Sequence, residues 1–306
     1  MAAVRRAAVI GTGTMGPGMG AVLARAGIET ALYDVSPEAL ERARGGAELA
    51  NGALERLDAA SEEGGSLHFE SDLGAALEGA DFVIEAVPER LELKHEVFRQ
   101  FEQAVGPDVI LASNTSGIPI TNIASVCEHP ERVVGMHWSN PPHLIPMIEV
   151  IPGEQTAQSA VDAAVELVQR VGYHPVLERE VPGFVENRIL YAILRECLDL
   201  VDRGIISPEG LDLNVRWGIG YKLAVIGPME LLDMAGLDIY NAVGSYLNQD
   251  LSTSGEVSTT IRSKIDEGRL GMKTGGGIYD YTPDQINELR AQRAAKLVAV
   301  RKALEA

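Results

Sequence analysis

VRRAAVIGTGTMGPGMGAVLARAGIETALYD, residues 4 to 34, is the stretch from which the rest of the chain can be read. Val4 to Ile10 is an apolar run of strand length. Gly11 to Ala26 opens on glycines and continues with helical spacing, and Thr30 to Asp34 is a second strand-like run. Strand, helix and strand in this order are the grammar of a parallel α/β sheet. The turn itself, Gly11-Thr12-Gly13-Thr14-Met15-Gly16, matches G-x-G-x-x-G in the strand-to-helix context that the pattern requires. Gly11 suits the tight turn, Gly13 lets backbone approach a pyrophosphate, and Gly16 lets helix and strand pack closely, while the helix N-terminus offers free N–H groups to the anion.

Asp34 follows Gly16 by 18 residues and ends the second strand. A carboxylate there accepts from a ribose 2′-hydroxyl and repels a 2′-phosphate, so NAD is the expected cofactor rather than NADP. The ordinary alternative is a glycine-rich turn followed by an Asp that caps the next helix, since Ser36 and Pro37 come directly after. Strand, turn, helix and acidic strand end all fall in register, which favours the dinucleotide reading.

Outward from this unit, further strands are expected at Asp81 to Ala86, Val109 to Ser113, Arg132 to His137, Met147 to Ile151 and His174 to Leu177. Helical patterns such as Leu91 to Val105 and Gln155 to Val171 separate several of them. After Val181-Pro182-Gly183 the grammar changes: Phe184 to Val201 has helical apolar spacing and strand-like runs nearly vanish. The expected organisation is a Rossmann-like α/β dinucleotide domain over residues 1–181, followed by an all-α domain over 182–306. Helix starts are read at Ser207-Pro208 and Gly227-Pro228, and a last charged helix at Gln285 to Leu304.

The 306 residues carry 26 Lys and Arg against 44 Asp and Glu, a formal net charge of −18, which argues against generic nucleic-acid or anionic-membrane binding. The sequence reads as a cytoplasmic protein without a signal-peptide pattern or a long uncharged apolar run. Two cysteines, Cys127 and Cys197, are too few for a secreted disulfide scaffold, and neither has metal-site spacing, so no metal is expected. Only six of the basic residues are lysine, the first being Lys94 and the next Lys222.

Three later segments hold polar residues among apolar ones: Ala112 to Gly117, Gly135 to Pro142 and Pro146 to Ile151. Taken singly each has an ordinary explanation. Ser116 could cap a helix, His137 could be a satisfied core histidine, and Glu149 could face solvent on an alternating strand. Jointly they are expected at the C-terminal ends of strands, outside which ligand-binding and catalytic groups of open α/β sheets gather. An imidazole can take the hydroxyl proton that an alcohol loses as hydride departs, and a carboxylate on its other nitrogen fixes the tautomer.

The succession GTGTMG (11–16), EAVPE (85–89), SNTS (113–116), GMHWSNP (135–141), IEVIPG (148–153) and PGFVENR (182–188), with GIYDY at 277–281, resembles the L-3-hydroxyacyl-CoA dehydrogenase family over nearly the whole chain. The resemblance implies an NAD-dependent oxidoreductase with a Rossmann-like domain and a helical C-terminal domain that commonly mediates dimerisation, hence a homodimer. It implies His137 as general base, Glu149 as its partner, Ser116 as a hydroxyl on the substrate oxygen, and Asn187 as a group reaching in from the second domain. Glu89, Lys94 and Asn114 are implied at the NAD site, beside Gly11, Gly13, Thr14, Met15, Gly16 and Asp34.

Two departures bear on the substrate. Acyl-CoA is a polyanion, yet Glu41 to Ser66, where the acyl-CoA enzymes supply phosphate contacts, holds six acidic residues, three arginines and no lysine. Gly218 to Pro228 is longer than the corresponding family turn and resembles the branch acting on free small acids, such as gulonate or carnitine dehydrogenases, while GMHWSNPPHLIPMIEVI (135–151) and DMAGLDIY (233–240) resemble the pyridine-carboxaldehyde dehydrogenases of bacterial vitamin B6 breakdown. A small carboxylate-bearing hydroxy or aldehyde substrate is therefore expected, with Lys222 and Arg216 as candidates for its carboxylate, against solvated helix-end charges. The alternatives are an acyl-CoA dehydrogenase of fatty-acid metabolism and a non-catalytic NAD-binding structural protein. The joint presence of His137, Glu149, Ser116 and Asn187 argues against the last.

Overall fold

The computed structural model describes residues 4–59 and 61–306. The chain divides into two compact units, Met1–Arg188 and Ile189–Ala306.

The first unit runs β1 (Arg6–Ile10), α1 (Gly16–Arg25), β2 (Glu29–Tyr33), α2 (Pro37–Arg56), β3 (Ser66–Glu70), α3 (Leu73–Leu77), β4 (Phe82–Glu85), α4 (Leu91–Ala104), β5 (Ile110–Ser113), α5 (Ile120–Ala124), β6 (Val133–Trp138), β7 (Met147–Pro152), α6 (Gln158–Arg170) and β8 (His174–Leu177). The strands form one sheet in the order β3-β2-β1-β4-β5-β6-β7-β8. Order reverses between β1 and β4, and the crevice outside the carboxyl ends at such a point is where α/β sheets take ligands.

Both faces of the sheet are covered. Ala7 and Val9 of β1 join a core with Met19 and Leu23 of α1 and Ala164 and Leu167 of α6. Ala8 and Ile10 point the other way, into a core with Phe98 and Phe101 of α4 and Ile120 of α5. Burial on two faces explains why β1 reads as an unbroken apolar run rather than an alternating one.

Sequence patterning passes over β3, a sheet-edge strand whose residues are only half-buried or exposed, so its apolar signal is thin. The sheet also departs from the all-parallel expectation at one junction: β7 is antiparallel to β6, and β8 then runs parallel to β7. The short Ser139–Pro146 connection turns the chain straight back, which only an antiparallel neighbour permits.

Helix α7 (Phe184–Asp202) begins in the first unit, where Phe184 is fully buried in the α4 and α5 face of the core. The second unit continues with α8 (Pro208–Asn214), a π-helical turn (Val215–Gly220), α9 (Tyr221–Leu223), α10 (Pro228–Ala235), α11 (Leu237–Asp250), α12 (Thr259–Asp266) and α13 (Pro283–Glu305). Ser207 accepts from Gly210 N–H as the cap of α8, and Thr282 with Gln285 forms a capping box on α13. No strand of the sheet comes from this unit; its only β pairing among the described residues is isolated bridges at Gly271, Gly276 and Asp280. No described helix is long and apolar enough to cross a membrane.

Candidate active site

The glycine-rich turn is built as its residue types demand. Gly11 has φ +113°, and a Cβ there would meet the Ala86 carbonyl oxygen at 2.5 Å. A Cβ on Gly16 would lie 2.2 Å from the Gly11 carbonyl oxygen, so only glycine lets α1 start this close to β1. Gly13 faces open space, which leaves its backbone approachable. Beside the turn lies a cavity of about 640 Å³ lined by Thr12, Gly13, Thr14, Asp34, Arg42 and His143, among others.

Ser36, not Asp34, caps α2, accepting from Ala39 N–H at 3.1 Å. Asp34 braces the turn: its Oδ2 accepts from Thr12 N–H at 3.0 Å and the Thr12 hydroxyl at 2.8 Å, and its Oδ1 from Ser36 N–H at 3.0 Å. Burial works against its ionisation, but these donors and nearby Arg42 outweigh it and hold the carboxyl below its ordinary value. An ionised Asp34 on the cavity wall fits an unphosphorylated ribose, and the glycine turn fits a pyrophosphate. Arg42 and His143, which sequence reading did not single out as cofactor-site residues, line the same cavity; neither lies in the fingerprint, and only the fold brings them there.

Lys94 is 1% exposed and does not point its charge at solvent. Its ammonium donates to Glu85 at 2.7 and 2.9 Å and pairs with Glu89 at 3.2 Å. Glu85 also accepts from the Ser113 hydroxyl at 2.6 Å, and Ser113 Oγ accepts from Thr115 N–H at 3.2 Å. Glu89 in turn accepts from the Thr115 hydroxyl and from Ser116 N–H. Burial opposes ionisation of Glu89, and Thr115, Lys94 and Ser116 together bring its carboxyl below the usual range. Lys94 therefore reaches the loop 113–116 through two carboxylates. Asn114 contributes separately, accepting from Trp138 N–H at 2.9 Å.

His137 and Glu149 are cross-strand partners in the antiparallel β6–β7 pair. His137 Nδ1 lies 2.6 Å from Glu149 Oε2, and both side chains are almost wholly buried. Phe184 packs its ring 5.8 Å from the imidazole. Gly183 at φ +80° and Phe184 at φ +50° are consecutive left-handed residues, a conformation that costs a non-glycine residue of order 1–3 kcal/mol. The turn aims the first N–H groups of α7 at Glu149 Oε1, with Glu186 N–H at 2.7 Å and Val185 N–H at 3.2 Å. Burial pushes the Glu149 carboxyl up, but the His137 hydrogen bond, the Glu186 N–H and the imidazole charge bring it below its ordinary value.

Two further carboxylates, absent from the sequence expectation, close on this pair. Glu186 accepts from the Ser139 hydroxyl at 2.6 Å, and Glu178 shares the Val185 N–H at 3.1 Å. Donor atoms of His137, Glu149 and Glu186 lie within 4.8 Å of one another. Such donor types suit a cation, but the shortest contact is a proton-sharing distance between imidazole and carboxylate. Ser116 does not cap a helix, since α5 starts four residues later at Ile120 with Pro119 as its N-cap; Ser116 is exposed. Asn187 Nδ2 donates to the Ser116 carbonyl oxygen at 2.9 Å, and Asn187 belongs to the first compact unit rather than reaching in from the second. Buried Phe184 explains this, because it anchors the start of α7 to the sheet domain.

Lys222 and Arg216 lie in the second unit, both exposed. Arg216 sits 5.3 Å from the Trp217 ring centre.

Comparison with known proteins agrees with this architecture. The 3-hydroxyacyl-CoA dehydrogenase NAD binding domain matches residues 6–181, and the 3-hydroxyacyl-CoA dehydrogenase C-terminal domain matches residues 183–281. The chain is 54% identical over 305 residues to 5-formyl-3-hydroxy-2-methylpyridine 4-carboxylate 5-dehydrogenase of Mesorhizobium japonicum, covering 99% of each. A crystal structure described as that 5-dehydrogenase, an NAD+ dependent dismutase, superposes with a TM-score of 0.97 at 53% identity, covering 99% of each chain. A probable 3-hydroxybutyryl-CoA dehydrogenase of Deinococcus radiodurans is 36% identical over 89% of this chain and 99% of its own. The (S)-3-hydroxybutyryl-CoA dehydrogenase of Ralstonia eutropha has a TM-score of 0.74 at 31% identity, covering 92% of this chain and all of its own. With both domains matched and the dinucleotide turn in place, the chain belongs to the 3-hydroxyacyl-CoA dehydrogenase family and is an NAD-dependent dehydrogenase.

Proposed function

We propose that this dehydrogenase acts on a small, carboxylate-bearing aldehyde or hydroxy substrate of the pyridine type, with His137 and Glu149 as its proton-handling pair. The observation that carries the reading is the 2.6 Å contact between His137 Nδ1 and Glu149 Oε2, which leaves imidazole Nε2 as the nitrogen for substrate. The nicotinamide of bound NAD supplies the hydride acceptor. His137 Nε2 takes the hydroxyl proton as the C–H electron pair leaves, and a carbonyl forms. On an aldehyde hydrate this yields the carboxylic acid; on an alcohol it yields the carbonyl compound. In reverse, the imidazolium returns its proton to the oxygen of an unhydrated aldehyde, giving a hydroxymethyl group. One site doing both would act as a dismutase, the activity described for the similar 5-dehydrogenase structure.

Ser116 and Asn187, tied through the Ser116 carbonyl, are the proposed donors to the substrate oxygen that gains charge. Gly11, Gly13, Thr14, Met15, Gly16, Asp34, Glu89, Lys94 and Asn114 are the proposed cofactor-site residues, Lys94 acting by holding Glu89. Lys222 and Arg216 are proposed to receive the substrate carboxylate. Support for a small substrate comes from α2: of the three arginines of that region, Arg44 lies over the Phe69 ring at 4.3 Å and Arg42 lines the dinucleotide cavity. An NADH-absorbance screen of aromatic aldehydes, free hydroxy acids and acetoacetyl-CoA tests this. Faster turnover of acetoacetyl-CoA than of any free acid or aldehyde would overturn it.

We further propose residues 1–181 as the NAD domain and 182–306 as the substrate and dimerisation domain of a cytoplasmic homodimer. Among the described residues of the second unit, Val298 is the one buried apolar side chain, while Tyr191, Trp217, Tyr221 and Met234 are each well over half exposed. So much uncovered apolar surface calls for a partner, and a second copy is the simplest one. The two cysteines are free, in keeping with a reducing compartment. Light scattering of the purified protein at micromolar concentration should give the mass of two chains; a single-chain mass would refute the dimer.

A further inference from the structure

Glu178, just past β8, has no place in the mechanism above, yet it stands directly behind it. Its Oε1 and Glu149 Oε1 accept from the same N–H, that of Val185, at 3.1 and 3.2 Å. Sharing that one donor sets the two carboxyl groups side by side. Glu178 Oε2 is shut off from solvent and meets no donor from the protein. Two neighbouring carboxylates cannot both stay ionised at low cost when the one N–H that Glu178 accepts is already shared with Glu149, because each repels the other's charge.

We propose that Glu178 and Glu149 hold one proton between them behind His137, and that Glu178 is a positioning residue setting how strongly Glu149 supports the imidazole. With the proton in place the pair carries a single negative charge; after its loss to solvent the charge is two. The second charge holds the His137 imidazolium more firmly once it has taken the substrate proton, which favours oxidation over the return reaction. No bond to substrate is made or broken by Glu178, and the proton it exchanges comes from and returns to water.

The surroundings leave this proton no competing cation. From β6 the facing group is His137, from β7 Glu149, and from α7 Glu186, whose carboxylate is held by Ser139. Glu180, two residues on, is turned to Thr121, and Arg188 to the Pro182 carbonyl. Among the described residues no Lys or Arg forms an ion pair with Glu149, Glu178 or Glu186. Burial, and then the Glu149 charge, push the Glu178 carboxyl up to about 7.

The inference rests on the His137–Glu149 reading, and its test separates the two. Val185 N–H bonds both carboxylates, so its amide NMR shift should titrate between about pH 5 and 9, in the His137→Gln protein as well as the wild type. A flat Val185 shift overturns the shared proton whatever the enzyme's activity. Glu178→Gln keeps the shape and a permanent donor toward Glu149, so the pH profile of kcat for oxidation should lose one ionisation. A profile superposing on the wild type overturns the role of Glu178. Failure of the dyad itself shows differently, as turnover retained by His137→Gln. The Val185 titration needs no Glu178 variant and decides the matter if Glu178→Gln does not fold.

Discussion

Replacing Lys94 by Met should destabilise the first unit strongly. Lys94 and Glu85 are 1% and 0% exposed, and removing one partner of a buried ion pair costs about 3–5 kcal/mol. Glu85 would keep the Ser113 hydroxyl at 2.6 Å and Val87 N–H at 2.8 Å, so we expect the lower half of that range, about 3–4 kcal/mol. Glu85→Gln should cost less, about 1–2 kcal/mol, because Lys94 retains Glu89 at 3.2 Å. The double variant should cost clearly less than the sum, as the two residues are in contact. The chain has two tryptophans, buried Trp138 in the first unit and exposed Trp217 in the second. Urea unfolding followed by Trp138 fluorescence in a Trp217→Phe background therefore reports the first unit alone. A loss below about 1 kcal/mol for Lys94→Met, or a larger loss for Glu85→Gln, would refute the view that this pair is a structural anchor for loop 113–116.

His137→Gln should lower turnover by about 10²–10⁴-fold, with NAD affinity by fluorescence titration nearly unchanged; near-wild-type rates would remove the dyad. Asp34→Ala takes away a charged acceptor worth about 1.5–3 kcal/mol, so NAD affinity should fall roughly 10- to 100-fold and discrimination against NADP should shrink. An unchanged NAD preference in isothermal titration would contradict the role given to that carboxylate. Stability should also respond to pH with a defined sign. The raised Glu178 carboxyl binds its proton more tightly in the folded state, so its contribution is lost as pH climbs from about 4.5 to about 7. The lowered Asp34 and Glu149 carboxyls act oppositely, contributing above the carboxylate range and losing that contribution in acid. Wild type should therefore lose stability relative to Glu178→Gln between those pH values in denaturant titrations; a constant difference would contradict the shift.

Much of the site was legible because its signals are local. The glycines from 11 to 16 are dictated by steric limits within a few residues, so their spacing announces the turn before any fold is known. Asn114 and Ser116 just beyond β5 and His137 at the close of β6 followed from apolar runs that stop where they do, whereas Glu149, expected at a strand C-terminal end, is the third residue of β7 and comes opposite His137 because β7 runs antiparallel to β6. Glu178 and Glu186 were not legible, since a glutamate after an edge strand and another in the first turn of a helix look like solvated charges. Their proximity to His137 arises only when β8 lies beside β7 and the left-handed pair Gly183-Phe184 turns α7 back on Glu149.

The amino-acid order alone was enough for the parallel α/β grammar, the dinucleotide turn with its acidic strand end, and the change to an all-helical second part, because each depends on periodicity or backbone sterics over short spans. Tertiary structure decided the antiparallel β6–β7 register that sets His137 opposite Glu149. It also decided the burial of Lys94 between two carboxylates, the anchoring of Asn187 to the sheet domain, and the meeting of Glu149 with Glu178. Charge interactions between residues distant in sequence depend on separation and burial, and neither quantity exists until the strands are placed side by side.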